Sequence, residues 1–423
     1  MRSTGHRRLS SRAVSVAFAG AAVTVCAGVL AAASAAAGTG GAVKADTAGP
    51  AGDTGRGQVV SSTLIAHLSQ AATAQALEDA GYETSAPRYA IDEYRVVYRT
   101  GGTTGASTQA SGLVVLPERG DQQLRVVSYD HGTMVARDDA PSEDDNAGRA
   151  AVELFAGRGY AAVAPDYLGL GLGPGAHPYM DAATEASASL DMLRAARTVA
   201  AGHGHSLERG VLVTGFSQGG QAAMALAGTL RRGGDPYFQA AAVAPVSGPY
   251  DVEHAEIPAA FDGRLDPKEA TFYFGFWITA MNRTYGLYDA PSQAFLPPYD
   301  RTVEDLYDGA HSDEQVFAGL PDTMQQLLTP RFLDWLRHPS GALARALRTN
   351  DTTCAGWQPG IPVRLYAAKG DRDVAIANAQ SCRHQLEANG VYSDLINVGD
   401  VTHFPSQLVA VPRVADWFDR LDR

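Results

Sequence analysis

The sequence predicts an α/β fold in which a mostly parallel sheet is covered by helices and carries an inserted helical cap. Short apolar runs alternate with helical segments from 124 to 246, and the alternation resumes at 362. This order is typical of a parallel sheet with helices on both faces. Between 249 and 357 no core strand is evident, although aromatic residues are frequent there. A structureless loop of that length is implausible in a compact domain, so the segment predicts a helical insertion.

Length and composition set the organisation of the chain. Its 423 residues, 45% of them apolar, suffice for one large core with an inserted subdomain. The net charge of −12 comes without a basic stripe, which argues against nucleic acid as a partner. We expect a signal peptide (1–37), a flexible leader (38–57), a first part of the α/β core (58–248), the cap or lid (249–357) and a second part of the core (358–423).

The N-terminus is typical of an exported protein. Four arginines in the first twelve residues precede an uncharged apolar run from 13 to 33, and Ala33-Ser34-Ala35 fits a cleavage site. The run is also long enough to span a bilayer, so an uncleaved membrane anchor is the alternative. Removal of this segment leaves Cys354 and Cys382. An even number of cysteines in an exported protein predicts a disulfide, and two free buried thiols are the alternative.

Local patterns predict the individual elements. The spacing of Leu64, Ile65, Leu68 and Leu77 indicates a helix over 63–80. Two segments around a glycine-rich turn, 92–98 and 111–116, should form an antiparallel strand pair at the edge of the sheet. The further strands are expected at 124–129, 160–164, 211–214, 240–246, 362–367 and 393–398. The further core helices are expected at 148–156, 181–200, 221–227, 375–389 and 406–421.

A strand, a tight turn and a helix meet at Ser217. The predicted strand at 211–214 runs into Gly215-Phe216-Ser217-Gln218-Gly219, and an alanine-rich helix follows. Gly-x-Ser-x-Gly in this setting is the nucleophile elbow, in which a strained turn exposes the serine hydroxyl. Side chains two residues to either side would clash, so both positions are glycine. The pattern predicts Ser217 as a catalytic nucleophile, and a structural glycine-rich turn is the alternative.

Partners for Ser217 should lie beyond the carboxyl ends of the strands, where active sites of α/β sheets are found. One late strand leads into Gly370-Asp371-Arg372-Asp373, and the last leads into Thr402-His403. We predict His403 as the general base, in preference to His384 within a predicted helix. Asp373 is predicted to hold and stabilise the imidazolium, with Asp371 as its competitor. Ser, Asp, His is the order expected of α/β-hydrolases.

An oxyanion at this site needs backbone N–H donors. We predict Gln218, which follows the nucleophile, and Thr133 in the loop after the strand ending at 129. Gly132 is a close alternative to Thr133, and His131 is interpreted as part of the loop architecture. The sequence contains no His-Glu-x-x-His helix, phosphate-binding loop or dinucleotide fingerprint. No metal and no cofactor are therefore expected.

Several of these segments together resemble the secretory lipase family, a branch of the α/β-hydrolases that includes the yeast lipase A type. They are the elbow at Ser217 and the segments 129–133, 166–171, 370–373 and 402–403. The resemblance runs from about 94 to the C-terminus and implies a lid over an acyl-binding tunnel and hydrolysis of esters and acylglycerols. It also implies that Asp373 is the acid, since Asp373 and Ile376 match the family's spacing. Ala377 departs from the pattern, because these enzymes often have proline there.

The sequence therefore predicts a secreted serine hydrolase that cleaves carboxylic esters, with a small-molecule or lipid ester as substrate. The aromatic run in the cap suggests that Phe274, Phe276 and Trp277 bind the acyl chain. We expect a monomer that can contact a lipid–water interface. One alternative is a serine peptidase of the aminopeptidase type on the same fold. The other is a catalytically silent binding module, against which the intact Ser217, Asp373 and His403 argue.

Overall fold

The computed structural model describes residues 55–120 and 122–421. The predicted signal peptide, its alternative as a membrane anchor, and all but the end of the leader lie outside these residues. Within the described part of the chain, no helix combines the length and the apolar character needed to cross a membrane.

A nine-stranded sheet, counted over the described residues, forms the centre of the fold. Its strands are β1 (Val59–Leu68), β2 (Ile91–Gly101), β3 (Ser107–Pro117), β4 (Gln123–Asp130), β5 (Ala161–Pro165), β6 (Ser206–Phe216), β7 (Gln239–Val246), β8 (Val363–Ala367) and β9 (Ser393–Asn397). Their order in the sheet is β1-β2-β3-β5-β4-β6-β7-β8-β9. The pairs β1/β2, β2/β3 and β3/β5 are antiparallel, and every pair from β5 to β9 is parallel. The mostly parallel sheet predicted from the sequence is confirmed.

Helices cover both faces of the sheet. The helices are α1 (Gln70–Asp79), α2 (Ala147–Gly157), α3 (Ala182–Gly202), α4 (Gln218–Arg231), α5 (Ile257–Asp262), α6 (Pro267–Tyr285), α7 (Val303–Leu306), α8 (Asp313–Gly319), α9 (Met324–Leu327), α10 (Pro330–Arg337), α11 (Gly341–Asn350), α12 (Ala377–Ala388) and α13 (His403–Phe418). Apolar side chains of α3, α4 and α12 pack on one face of the sheet. Those of α1, α2 and α13 pack on the other. This two-faced burial explains why the central strands are apolar on both sides.

The segment between β7 and β8 is helical. It contains α5 to α11, and its isolated bridge between Phe295 and Leu328 belongs to no strand of the sheet. The apolar side chains of these helices form a separate buried cluster, which is joined by Tyr179 and Met180 from the loop before α3. The inserted segment therefore has a core of its own and also contacts the α/β core through that loop.

One predicted element is wrong. The segment 63–68, expected to begin a helix, belongs to β1, which pairs antiparallel with β2 along the edge of the sheet. The apolar spacing that suggested a single helix comes from two elements, because Leu64 and Leu68 lie on the strand and Leu77 on α1. Ser69 separates the two elements, since its hydroxyl accepts the backbone N–H of Ala72 and caps α1. The predicted pair β2 and β3 consequently lies one strand in from the edge.

The predicted disulfide between Cys354 and Cys382 is confirmed. The two Cα atoms are 5.2 Å apart, and both side chains are fully buried. Cys354 lies just after α11, and Cys382 lies on α12. The bond therefore joins the end of the helical insertion to the helix that follows β8.

We expect the double variant Cys354→Ala/Cys382→Ala to lose about 3 to 4 kcal/mol of unfolding free energy, because the bond closes a loop spanning 28 residues of sequence separation and so restricts the unfolded chain. Urea unfolding of the variant and of the wild-type protein measures the difference. Addition of a reductant should lower the stability of the wild type and leave the variant unchanged. Two thiols alkylated in the native protein without reductant would contradict the bond.

Candidate active site

The turn that carries Ser217 is strained, as a nucleophile elbow requires. Ser217 directly follows β6 and has a φ of 57°, which an L-residue rarely adopts. A Cβ at Gly215 would overlap the backbone of Gly219, and a Cβ at Gly219 would overlap the carbonyl of Asp130. The Ser217 N–H donates to the Val246 carbonyl of β7 at 2.9 Å, which fixes the turn against the sheet. Both glycines are therefore required for this close approach.

The structure brings Ser217, His403 and Asp371 together. His403 Nε2 lies 2.8 Å from Ser217 Oγ, and His403 Nδ1 lies 2.7 Å from Asp371 Oδ2. Asp371 Oδ1 accepts the backbone N–H groups of Asp373 at 3.0 Å and Val374 at 2.9 Å. The side chains of Ser217, His403 and Asp371 are all buried. A continuous hydrogen-bonded chain thus runs from a carboxylate through an imidazole to a hydroxyl.

Asp373, the predicted partner of His403, does not occupy that position. The carboxyl group of Asp371 bonds to the N–H of Asp373 two residues on, so Asp371 forms a tight turn and takes the place beside the imidazole. The Asp373 side chain instead accepts a hydrogen bond of 3.4 Å from the Tyr273 hydroxyl of α6. The expectation of a contact between Asp373 and His403 is therefore corrected in favour of Asp371.

The surroundings of His403 favour its role as a base. Burial lowers the pKa of His403, but the charge and hydrogen bond of Asp371, together with the charges of Asp373 and Glu256, outweigh burial and leave the pKa raised above its usual 6.5. Because a carboxylate accepts at Nδ1, the proton of the neutral ring is on Nδ1. Nε2 then presents its lone pair to the Ser217 hydroxyl. Neutral His403 can accordingly accept the serine proton.

Of the two predicted oxyanion donors, one directly follows Ser217 and the other lies in the loop after β4. Gln218 is the first residue of α4, so its backbone N–H has no acceptor within the helix. Its side-chain amide Nε2 lies 2.9 Å from His177 Nε2 and 2.7 Å from Glu185 Oε1. Thr133 is in the loop after β4, and its hydroxyl lies 2.8 Å from the Tyr179 hydroxyl. Sequence reasoning missed His177, Tyr179 and Glu185, although the segment His177-Pro178-Tyr179 after a glycine-rich loop was a visible signal.

The neighbouring loop residues His131 and Gly132 have packing roles. His131 is buried, its Nδ1 lies 2.7 Å from the Gly132 carbonyl oxygen, and burial lowers its pKa to about 4. A Cβ at Gly132 would lie 3.1 Å from the Phe216 ring, which leaves little room for a side chain. His131 is thus a neutral part of the loop, with Tyr167 against its ring at a centroid distance of 4.4 Å.

A small cavity adjoins the nucleophile. Its volume is about 40 Å³. Ser217 lines it together with Phe274 and Trp277 of α6. Phe276, which was expected to contact substrate, does not line this cavity. Its ring stacks between Tyr179, with a centroid distance of 4.3 Å, and Tyr307, with a distance of 4.8 Å. Phe276 therefore belongs to the packing between the cap and the core.

A group of possible metal ligands lies away from this site. Within the described ranges, His67, Asp92 and Glu118 are the one set of three such side chains close enough to share an ion. They belong to the β1–β3 edge of the sheet, opposite the β8–β9 edge near His403. His67 Nδ1 is already 2.8 Å from Asp92 Oδ1, so the group is accounted for as a surface ion pair.

No protein-family model matches the chain, and no curated protein matches it in sequence. Several solved structures do match the chain. A protein from Legionella pneumophila, provisionally described as a hydrolase, has 27% identity and a TM-score of 0.79, over 86% of this chain and 98% of that one. The rice cell wall degrading esterase LipA from Xanthomonas oryzae has 27% identity and a TM-score of 0.77, over 87% of this chain and 99% of LipA.

The chain has the α/β-hydrolase fold. Lipase A from Candida antarctica matches more distantly, with 16% identity and a TM-score of 0.61, over 83% of this chain and 78% of that one. At this identity the likeness concerns the fold alone. The resemblance to the lipase A type is thus remote, and the structural neighbours named here are hydrolases and esterases of the α/β-hydrolase fold.

Proposed function

We propose that the chain is a serine hydrolase that cleaves carboxylic esters through an acyl-enzyme. The hydrogen-bonded chain from Asp371 through His403 to Ser217 carries this proposal. A nucleophile, a base within hydrogen-bond reach and a group that orients the base are the parts such a reaction needs. The similarity to LipA, described as a cell wall degrading esterase, supports an ester as the substrate.

The first half of the reaction forms the acyl-enzyme. Ser217 Oγ attacks the ester carbonyl carbon while His403 Nε2 takes the hydroxyl proton. Asp371 stabilises the imidazolium that results, through the 2.7 Å hydrogen bond at Nδ1. Negative charge develops on the carbonyl oxygen, and this oxygen accepts hydrogen bonds from the N–H groups of Gln218 and Thr133. His403 then gives the proton to the departing alcohol, and the acyl group remains on Ser217.

The second half repeats these roles with water. His403, neutral again, takes a proton from a water molecule that attacks the acyl carbon. The tetrahedral intermediate collapses, Ser217 regains its proton from His403, and a carboxylic acid leaves. Because neutral His403 is required in both halves, activity should fall as the pH falls through the raised pKa of this residue.

The cavity beside Ser217 favours a short acyl group. Its volume is only about 40 Å³. Phe274 and Trp277 form aromatic walls of this cavity. We propose that the cap selects esters of short acids through these two side chains, and that longer acyl chains, including those of acylglycerols, are poorer substrates in this arrangement of the cap.

Trp277→Ala is expected to shift the preference of the enzyme towards longer acyl chains. Removal of the indole extends the cavity, and each extra methylene that is then buried should contribute about 0.8 kcal/mol, or roughly fourfold in kcat/KM. A series of p-nitrophenyl esters from acetate to decanoate measures the shift. Phe276→Ala is the matched comparison, because it removes a cap ring that does not line the cavity. An unchanged preference in Trp277→Ala and Phe274→Ala would contradict the role of these walls.

A peptidase is the second candidate, on one observation. Glu256 and Asp373 also line the cavity. Carboxyl groups beside a nucleophile can bind the free amino group of a peptide. A panel of p-nitrophenyl esters and aminoacyl anilides separates the two functions. The ester hydrolase should turn over the esters, whereas an aminopeptidase would require the free amino group of the anilides.

We also propose that the enzyme acts outside the cytoplasm. The Cys354–Cys382 disulfide fits an oxidising compartment, and the predicted signal peptide would deliver the chain there. Phe404, which is 59% exposed, follows His403 directly and offers an apolar surface beside the site. We propose that Phe404 contacts either a lipid–water interface or an apolar alcohol group of the substrate.

A further inference from the structure

Helix α4 lacks a side-chain cap of the kind found at the start of α2 and α3. Asn146 accepts backbone N–H groups at the start of α2, and Asp181 accepts one at the start of α3. At the start of α4 the corresponding residue is Ser217, whose side chain accepts no N–H of the helix. Its hydroxyl is hydrogen-bonded to His403 instead. The position of the first turn of α4, and with it the Gln218 N–H, therefore depends on other contacts.

Besides the hydrogen bond from the Ser217 N–H to the Val246 carbonyl, the side chain of Gln218 provides two such contacts. His177 Nδ1 lies 2.8 Å from the Leu168 carbonyl oxygen, which can only accept, so His177 carries its proton on Nδ1. Its Nε2 is then an acceptor for one N–H of the Gln218 amide, at 2.9 Å. The second N–H of the amide donates to Glu185 Oε1 at 2.7 Å. Both donors of the amide are thus used, and Gln218 is fully buried.

Electrostatics keep this network in one hydrogen-bonding state. Burial lowers the pKa of His177 to about 4, so the ring stays neutral and remains an acceptor near neutral pH. Burial raises the pKa of Glu185 to about 8, and its oxygen can accept from Gln218 whether or not the group is ionised. The donor and acceptor assignments are therefore mutually consistent.

The same short segment also contacts the second oxyanion donor. Tyr179 is two residues from His177, and its hydroxyl shares the 2.8 Å hydrogen bond with Thr133 Oγ1. The Tyr179 ring stacks on Phe276 of α6, with an interplanar angle of 3°. The segment His177-Pro178-Tyr179 thus contacts Gln218 through His177 and Thr133 through Tyr179. Tyr179 also packs on Phe276 of the cap.

We propose that His177 and Tyr179, with Glu185, are positioning residues that hold the backbone N–H groups of Gln218 and Thr133 at the spacing an oxyanion requires. This inference rests on the proposed function. It assigns a role to a segment that takes no part in the proton transfers. These three side chains act through the two N–H donors, so their positioning role does not determine which class of ester is the substrate.

A double-mutant cycle tests the inference. Tyr179→Phe removes the hydroxyl and keeps the ring stack, whereas Thr133→Val removes the hydroxyl and keeps the backbone N–H. Loss of a whole oxyanion donor costs about 10²- to 10³-fold in kcat, so a donor that is only loosened should cost on the order of 10-fold. Each single variant should show this loss with little change in KM. The double variant should equal the single variants, because both remove the same hydrogen bond.

A second readout separates positioning from general disturbance of the fold. A trifluoromethyl ketone forms an oxyanion on Ser217, so its affinity should fall by the same factor as kcat. Glu185→Gln, which keeps an oxygen acceptor for Gln218, should retain most of the kcat that Glu185→Leu loses. Tyr288→Phe is the matched control, since its hydroxyl bonds to Glu304 within the cap at 2.7 Å, and kcat should stay at the wild-type value.

Two results would overturn the inference. Losses that multiply in the double variant would mean that Tyr179 and Thr133 act independently, and a change in KM alone would make Tyr179 a wall of the substrate site. Failure of the proposed function would be detected in a different variant. In that case Ser217→Ala would keep its activity, whatever the outcome of the double-mutant cycle.

Discussion

Ser217→Ala is expected to lower kcat for ester hydrolysis by about 10⁵- to 10⁶-fold, the loss typical of a nucleophile that acts as one unit with its base. The reason is geometric, because His403 Nε2 points at Ser217 Oγ from 2.8 Å and no acyl-enzyme can form without that oxygen. A small residual rate should remain, supplied by substrate binding and the oxyanion donors. Turnover of p-nitrophenyl acetate, measured under burst and steady-state conditions, quantifies the loss.

Covalent labelling gives an independent measurement of the same residue. A fluorophosphonate should modify the wild-type protein once, and peptide mapping should place the label on Ser217. Ser312→Ala, at the N-terminus of α8, is the matched control and should be labelled and active like the wild type. Labelling at another residue, or undiminished turnover in Ser217→Ala, would exclude the proposed reaction.

The second large effect concerns the acid. Asp371→Asn should lower kcat by about 10⁴-fold, because an amide in place of the carboxylate turns the His403 ring to the wrong tautomer. Asp373→Asn should cost far less, since the Asp373 carboxyl group lies beside Tyr273 and makes no hydrogen bond to the imidazole. Parallel kinetics of the two isosteric variants compare two positions that differ by two residues in sequence.

The pH profile of Asp373→Asn adds a second test. The charge of Asp373 raises the pKa of His403, because a negative group stabilises the imidazolium. Removal of that charge should lower the pKa of His403. Since activity is lost as the pH falls through this pKa, the acid limb of the profile should move to lower pH. A 10⁴-fold loss in Asp373→Asn, with Asp371→Asn near wild type, would restore the assignment made from the sequence.

The difference between Asp371 and Asp373 shows where sequence reasoning stops. Both residues follow the same strand, so the rule that active-site groups lie at carboxyl ends of strands selects the loop and cannot select the residue. The choice is made by a turn in which the Asp371 side chain binds the N–H groups of residues 373 and 374. Ser217 and His403 had no such competitor within their own loops, because His384, the alternative base, lies within a predicted helix.

The cap illustrates a signal that was present and not used. Its helical nature followed from the missing strand alternation, and seven helices are seen between β7 and β8 among the described residues. On a helix, residues three apart share a face and residues two apart do not. Phe274 and Trp277 are three apart and line the cavity, whereas Phe276 lies on another face. Helical periodicity within α6 could therefore have separated Phe276 from the other two aromatics.

The contacts around the proposed oxyanion donors could not be predicted in this way. Gln218 and Glu185 are separated by 33 residues, and Gln218 and His177 by 41. These pairs depend on the packing of α3 against α4 and on the path of the loop before α3. No local pattern specifies such a distance, so only the three-dimensional structure brings the side chains together.

The stack of Tyr179, Phe276 and Tyr307 has a thermodynamic consequence. It joins the loop that contacts Thr133 to α6 and then to the residue that ends α7, so the packing of the cap and the geometry of the oxyanion donors are coupled. Coupling between two sites is reciprocal. If a packed cap tightens the oxyanion site, a ligand that fills the oxyanion site stabilises the packed cap by the same free energy.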